Sequence, residues 1–352
     1  MPAFSTALIA WQKQHGRHDL PWQNTTDAYR IWVSEIMLQQ TQVAAVKNYY
    51  LRFLQRFPQV QSLADAPLEE VLALWSGLGY YSRARNLHRA AKIVVQQYGG
   101  RFPEDPVLIE QLPGIGRSTA AAIAVFAYGV KAAILDGNVK RVLSRIHAIE
   151  GYPASPAIQK QLWILAESLL PNKQIQAYTQ GLMDLGATIC VRINPKCLLC
   201  PLHSACQAYL QGRVSHFPTP KPPRSLPVRY ATVWIIQAGQ GVWLESRPPT
   251  GIWGGLLSLP QTEGHWQPGQ ALPELASLPG QVVDPQLLPR FSHTFTHFKL
   301  QIQPVLASLQ QPLTVKVAEA LGRFMLPEEI ATAPLPAPVK KLLLALLVTD
   351  RL

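Results

Sequence analysis

The only four cysteines in the chain fall between Cys190 and Cys206, in the pattern Cys190-x6-Cys197-x2-Cys200-x5-Cys206. A disulfide framework spreads its cysteines across a fold, so this clustering points to a metal site in a reducing compartment. Four thiolates suit a zinc ion or a 4Fe–4S cluster, and spacing alone leaves both open. Two carboxylates carry a different chemistry. Glu35 stands in Trp32-Val-Ser-Glu-Ile-Met-Leu-Gln-Gln-Thr-Gln42, where a helix sets Trp32, Glu35, Gln39 and Gln42 on one face. It has no ion-pair partner within a turn. Either it is a solvated surface charge, or its setting among Trp32, Ile36 and Leu38 raises its pKa and makes it a general acid. Asp136, in Ile134-Leu-Asp-Gly-Asn-Val-Lys-Arg141, follows an apolar run and precedes a helix start. It reads as an N-cap or as an oriented, semi-buried carboxylate. In Leu112-Pro-Gly-Ile-Gly-Arg-Ser-Thr-Ala120, Gly114 and Gly116 allow a tight turn. Backbone N–H groups there, at a helix N-terminus, can hold a phosphate without reading sequence; a plain turn is the alternative.

These groups need a scaffold. Residues 1–211 read as helical, with one or two helices over Ala28–Phe57 and others at Pro67–Trp75, Ser82–Tyr98, Pro106–Leu112, Ser118–Tyr128, Asn138–His147 and Ala157–Leu170. Residues 212–227, rich in Pro and basic residues, read as an extended linker. Beyond it, Val228–Gln237 and Val242–Glu245 flank Ala238-Gly-Gln-Gly241 as a hairpin, Phe295–Pro304 alternates as a strand, and Pro338–Val348 closes as a helix. The expected fold class is therefore multidomain: an all-α domain followed by a smaller α+β domain.

The 352 residues carry a net charge of +11, unevenly spread. Residues 1–225 hold 23 Lys and Arg against 13 Asp and Glu; the remainder hold 9 against 8. A polyanion such as DNA suits the basic part, because Lys and Arg release counterions from phosphates. The longest apolar tract, Leu342–Val348, is too short to span a membrane. The N-terminal segment reads as an ordinary helix, not a signal peptide, so a bacterial cytoplasmic, nucleoid-associated location is expected.

At this point a resemblance becomes specific. LPGIGRSTA followed by Asp136 resembles the helix-hairpin-helix glycosylases of the endonuclease III superfamily, with the hairpin unit over 106–128. WVSEIMLQQTQV, LPW at 20–22, LWSGLGYYSRARNL at 74–87 and LDGNVKR at 135–141 are similar to the adenine glycosylase branch, the MutY type. The resemblance implies a DNA glycosylase of base excision repair that removes adenine opposite 8-oxoguanine or guanine. It implies catalytic roles for Glu35, Asp136 and Asn138, an adenine pocket lined by Leu20, Trp22 and Leu38, and wedge residues Gln40 and Tyr80. Gly114, Gly116 and Ser118 would lie on DNA. It also resolves the cysteine question: Cys190, Cys197, Cys200 and Cys206 would ligate one 4Fe–4S cluster in the loop 190–206. Ser118 stands where the bifunctional branch has a Schiff-base lysine, so a monofunctional enzyme is expected, with at most slow reaction at Lys140. The expected partner is double-stranded DNA, bound by a monomer, with no membrane.

Val242-Trp-Leu-Glu-Ser-Arg-Pro-Pro-Thr-Gly-Ile-Trp-Gly-Gly-Leu256 resembles the opening of a Nudix domain, so residues 228–352 are expected to be Nudix-like. The acid cluster that holds Mg²⁺ in working Nudix hydrolases is missing after Gln261, which leaves recognition as its use. Thr296 and His297, in Phe295-Thr-His-Phe298, match the family's 8-oxoguanine-reading loop, with Thr in place of Ser. Phe291-Ser-His293 spells the same string, and the following Phe298 favours the later copy.

Overall fold

Several helices open at a recognisable signal: Asp27, Asp105 and Asp136 accept from amides at three helix starts, and Pro106 and Pro156 begin two helices. The computed structural model describes residues 2–222, 225–239, 241–248, 251–273, 275, 278, 281–310 and 322–348. Helices follow in the order Pro2–His15 (α1), Ala28–Leu38 (α2), Val43–Arg56 (α3), Val60–Asp65 (α4), Leu68–Trp75 (α5), Ser82–Tyr98 (α6), Pro106–Glu110 (α7), Arg117–Tyr128 (α8), Gly137–Ile146 (α9), Pro156–Ser168 (α10), Ile175–Asp184 (α11) and Gln207–Leu210 (α12). The stretch after Ala28 is two helices, because Gln40 takes a left-handed φ of 57°. Gln42 therefore caps α3 instead of sharing a face with Glu35.

The chain divides into two compact units, residues 1–66 with 85–222 and residues 67–84 with 223–352. Assigning all of 1–211 to one domain thus differs from the observed division, in which Tyr81 Oη donates to the Leu335 carbonyl at 3.2 Å. In the first unit, Val125, Val139, Leu143, Leu162 and Leu185 are fully buried together. Burial of each such side chain stabilises by about 1.5–3 kcal/mol. This core fixes α8 and α9, and with them the hairpin and Asp136.

The 212–227 segment is not uniformly extended. Phe217 is buried in the first unit's core. Its carbonyl accepts from Arg145 Nε at 2.9 Å, and Thr219 Oγ1 accepts from the Gly151 amide at 3.0 Å. A buried guanidinium needs acceptors, and this segment supplies one. Residues 223–224 of it lie outside the described residues, as do Gln240 of the expected hairpin and Pro249–Thr250 of the Nudix-like string.

The second unit is built on a mixed sheet of Val228–Ala238 (β1), Gly241–Ser246 (β2), Leu257–Ser258 (β3), Gln261–Glu263 (β4), Val282–Leu287 (β5), Phe291–Thr294 (β6), Lys299–Leu309 (β7) and Gly322–Met325 (β8). Its main order is β3-β2-β1-β7-β5, with β4 on β1, β6 on β7 and β8 on β2. β1 and β7 run parallel; β6 and β7 are antiparallel. Pro327–Ile330 (α13) and Ala337–Val348 (α14) follow, and α14 buries Val339 and Leu343 against one face. The strand expected to start at Phe295 starts at Lys299, because Phe295–Phe298 closes a turn through the Phe295 amide and Phe298 carbonyl (2.9 Å).

The hairpin tests this architecture. Gly114 has φ +80°, and a Cβ there would stand 2.8 Å from Asn86 Cβ. Gly116 has extended backbone with nothing within 4 Å of that position. Gly114→Ala should cost about 2–4 kcal/mol from strain and overpacking, and Gly116→Ala about 1 kcal/mol or less. Urea unfolding of the two variants checks the difference; equal losses would contradict it.

Candidate active site and cysteine cavity

Glu35 sits on the last turn but one of α2, a helix begun by Asp27, whose side chain accepts from the Tyr29 and Arg30 amides. Trp32, one turn earlier, is wholly buried and packs its ring on Phe102 at 5.0 Å. Glu35 keeps a solvent edge on a cavity of about 410 Å³, whose walls also include Leu20, Trp22 and Leu38. That volume lies in the range of ligand pockets. Sequence reasoning missed Phe126, Gln180 and Met183, which complete the wall from α8 and α11. The turn carrying Leu20 and Trp22 is closed by Gln23, which accepts from the Leu20 amide and donates to the Arg17 carbonyl. Trp22 then meets Tyr50 edge-on at 5.4 Å.

Burial first, and the charge of Asp136 second, push the Glu35 carboxyl from 4.5 up to about 8. Asp136 is not in the cavity wall, yet its charge is felt at Glu35. Burial raises its pKa too. Against burial stand hydrogen bonds from the Val139 amide (2.8 Å) and Asn138 Nδ2 (3.2 Å), and the positive charge of Arg141. The Asp136 carboxylate also caps α9, where the helix dipole favours negative charge. These interactions favour the charged form of Asp136, and that charge in turn raises Glu35.

The capping and catalytic readings of Asp136 are thus not exclusive. Asn138 links it onward: its Oδ1 accepts from Arg141 Nη2 at 2.8 Å. Arg141 also donates to the carbonyls of Gly186 (2.6 Å) and Cys190 (2.7 Å). Gly186 must be glycine here, since a Cβ would lie 2.6 Å from Asn138 Cβ.

The hairpin connects α7 to α8, with Gly114 and Gly116 exposed. Ser118 is engaged within the fold: its Oγ accepts from the Leu135 amide at 2.9 Å, one residue before Asp136. Gln40 and Tyr80 are both exposed, and both hold left-handed backbone at φ 57° and 50°. Such strain in non-glycine residues concentrates at functional sites.

The four cysteines line one small apolar cavity with Val142, Ile146 and Leu185, and none is disulfide-bonded. Among the described residues, no three His, Cys, Asp or Glu side chains converge tightly enough for a single metal ion. Burial pushes the Cys200 thiol up to about 11. Arg145, 3% exposed, donates to Cys190 Sγ (3.3 Å) and to the Val191 and Arg192 carbonyls (2.7 and 3.1 Å).

In the second unit, Thr296 and His297 form the exposed tip between β6 and β7, with Thr296 Oγ1 and His297 Nδ1 3.2 Å apart. The alternative copy, Phe291–His293, lies inside β6, paired to β7. Phe298 is buried, as an ordinary core aromatic. Among the described residues, no helix stands between β3 and β5.

Residues 33–168 match the HhH-GPD superfamily of base excision DNA repair proteins, and residues 231–345 match a NUDIX domain. The adenine DNA glycosylase of Buchnera aphidicola is 40% identical over 306 residues, covering 87% of each chain. The human adenine DNA glycosylase is 36% identical over 403 aligned positions, covering 96% of this chain and 73% of its own. A thermostable thymine-DNA glycosylase of known structure aligns with TM-score 0.53 and 32% identity, over 59% of this chain and 95% of that one. Endonuclease III, solved in a complex with DNA, shares the fold at TM-score 0.50 and 21% identity, over 59% and 96%. With relatives this similar over most of its length, the chain belongs to the adenine DNA glycosylase family.

Proposed function

We propose that this enzyme excises adenine opposite 8-oxoguanine or guanine in double-stranded DNA, as a monomeric, monofunctional glycosylase holding one 4Fe–4S cluster. What carries the reading is Glu35: a carboxyl pushed up to about 8 by burial and by the charge of Asp136, on the wall of a base-sized cavity.

Adenine in a duplex must leave the stack to be reached. Gln40 and Tyr80 enter the gap, while the Gly114–Gly116 hairpin holds a phosphate through backbone N–H groups and Ser118 steadies the hairpin beside Asp136. The base enters between Leu20, Trp22 and Leu38. Glu35 donates its proton to adenine N7, and the C1′–N9 bond breaks with its electron pair leaving on the neutral base. The sugar acquires oxocarbenium character, which the Asp136 carboxylate stabilises while Asn138 holds that carboxylate in place. Water adds at C1′, its proton returns to Glu35, and an abasic site remains. One acid stays neutral and one charged, the division of labour of glycoside hydrolysis. Ser118 has no amine for a Schiff base, which supports the monofunctional reading.

Cys190, Cys197, Cys200 and Cys206 would hold the cluster: the four thiols line one small apolar cavity, and four cysteines are the donor set of a 4Fe–4S cluster. Bound there, the cluster would tie these four cysteines together and hold the loop 190–206 in shape. Thr296 and His297 read the 8-oxoguanine. The bacterial adenine DNA glycosylases among its relatives support a cytoplasmic, nucleoid-associated location; separately, among the described residues no helix is long and apolar enough to cross a membrane.

Three outcomes test this. Glu35→Gln should slow single-turnover adenine release by about 10²–10⁴-fold while binding of the duplex persists; release at the wild-type rate would remove Glu35 as the acid. The wild-type rate should fall as pH rises through about 8, where Glu35 loses its proton, and again on the acid side as Asp136 gains one. A flat profile from pH 7 to 9 would contradict the assignment. His297→Ala should lower the preference for 8-oxoguanine over guanine while release from the guanine mispair persists; competition between the two duplexes measures it.

A further inference from the structure

The second unit carries a cavity of about 560 Å³ that the proposed reaction does not use. Arg229 of β1 and Arg247, just beyond β2, line it with Gln261 and Glu263 of β4 and the apolar Phe298 and Leu300. Arg247 belongs to the Nudix-like string, after which the sequence carries no acid cluster of the kind that holds Mg²⁺. The chemistry of the walls is nonetheless specific. Arg247 Nε is sealed from solvent and has no acceptor among the described residues. An enclosed N–H without a partner is rare, and marks a place where something else supplies the acceptor. The Arg229 guanidinium lies 4.7 Å over the Phe298 ring. Among the described residues neither arginine is ion-paired. Two guanidiniums face one carboxylate, Glu263, and a guanidinium fork matches phosphate oxygens.

The cavity also adjoins the tip of the 295–298 turn. Phe298, in its wall, stacks on Phe295 with centroids 4.6 Å apart and meets His297 at 4.9 Å. Ile252, also in the wall, precedes Trp253, which packs on Phe295 at 5.6 Å and His293 at 6.0 Å. One aromatic cluster therefore supports both the tip and the arginine cavity.

We propose that the Arg229–Arg247 cavity receives a backbone phosphate of the DNA strand whose base meets Thr296 and His297. This rests on the reading of that turn as the 8-oxoguanine contact. The arginines then anchor the lesion strand by its backbone while the tip reads the base, the usual separation of positioning from specifying contacts.

The test uses the full-length protein, made inactive by Glu35→Gln, and fluorescence anisotropy with a duplex holding adenine opposite 8-oxoguanine. Affinity is measured against salt concentration. Arg247→Gln and Arg229→Gln should each weaken binding several-fold and make the log–log salt slope shallower by about 0.9 per lost phosphate contact. The change should be smaller on a fully paired duplex, where the tip has no lesion to engage. Arg229 is exposed, so its variant carries the test even if Arg247→Gln fails to fold. An unchanged slope with Arg229→Gln, or the same change on the fully paired duplex, would overturn the site. Binding of dGMP alone to the cavity, abolished by either substitution while the duplex slope stays put, would make it a free-nucleotide pocket and also overturn the proposal. The turn reading fails separately, if His297→Ala leaves the lesion preference intact.

Discussion

A carboxyl that keeps its proton near neutrality must be enclosed by groups that offer its charged form little help. At Glu35 the protein arranges this with hydrocarbon and a like charge. Buried Trp32 and Ile36 neighbour it along α2, Ile31 and Leu38 share its cavity wall, and no described side chain donates to it. Asp136 sets the contrast. It is enclosed too, but a backbone amide, an asparagine amide and an arginine charge favour its ionised form. The rest of the first unit serves this asymmetry: α8 and the hairpin position the chain leading into Asp136, and α9 supplies the N-terminus that Asp136 caps.

The two arginines of α9 extend that arrangement toward the cysteines. Arg141 spans Asn138, Gly186 and the Cys190 carbonyl; Arg145, one turn on, reaches Cys190 Sγ, two further carbonyls of the loop and that of Phe217. A buried guanidinium with several backbone acceptors is a rigid joint, because removing it would strand those carbonyls. The cysteine loop and the carboxylate are therefore held by the same helix. The segment after Gly212 takes part through Phe217, despite a proline-rich composition that suggests only a tether.

Much of this was legible in the sequence because it is local. Helix limits followed Gly, Pro and capping residues to within about two positions for α7, α8, α9 and α10, within the usual uncertainty of helix ends. The cysteine set, Glu35 and Asp136 were visible from residue type and spacing, and a family resemblance gave them roles. What was not legible depends on distance along the chain. Phe126 and Gln180 reach the Glu35 cavity from α8 and α11, far along the chain, with no local pattern to announce them. The hydrogen bond from the Leu135 amide to Ser118 spans 17 residues, and no local pattern announces it. Alternation alone extended β7 back to Phe295, because a tight turn of aromatic residues has the same local texture as a strand.

The central claim is that Glu35 is a neutral acid in the resting enzyme, and infrared spectroscopy reads that proton directly. Difference spectra of the wild type and Glu35→Gln, taken as pH is raised, should contain a protonated-carboxyl C=O band at pH 7 that vanishes with a midpoint near 8 and is absent from the variant. A band already lost below pH 6, giving way to carboxylate absorption assignable to Glu35, would contradict the account.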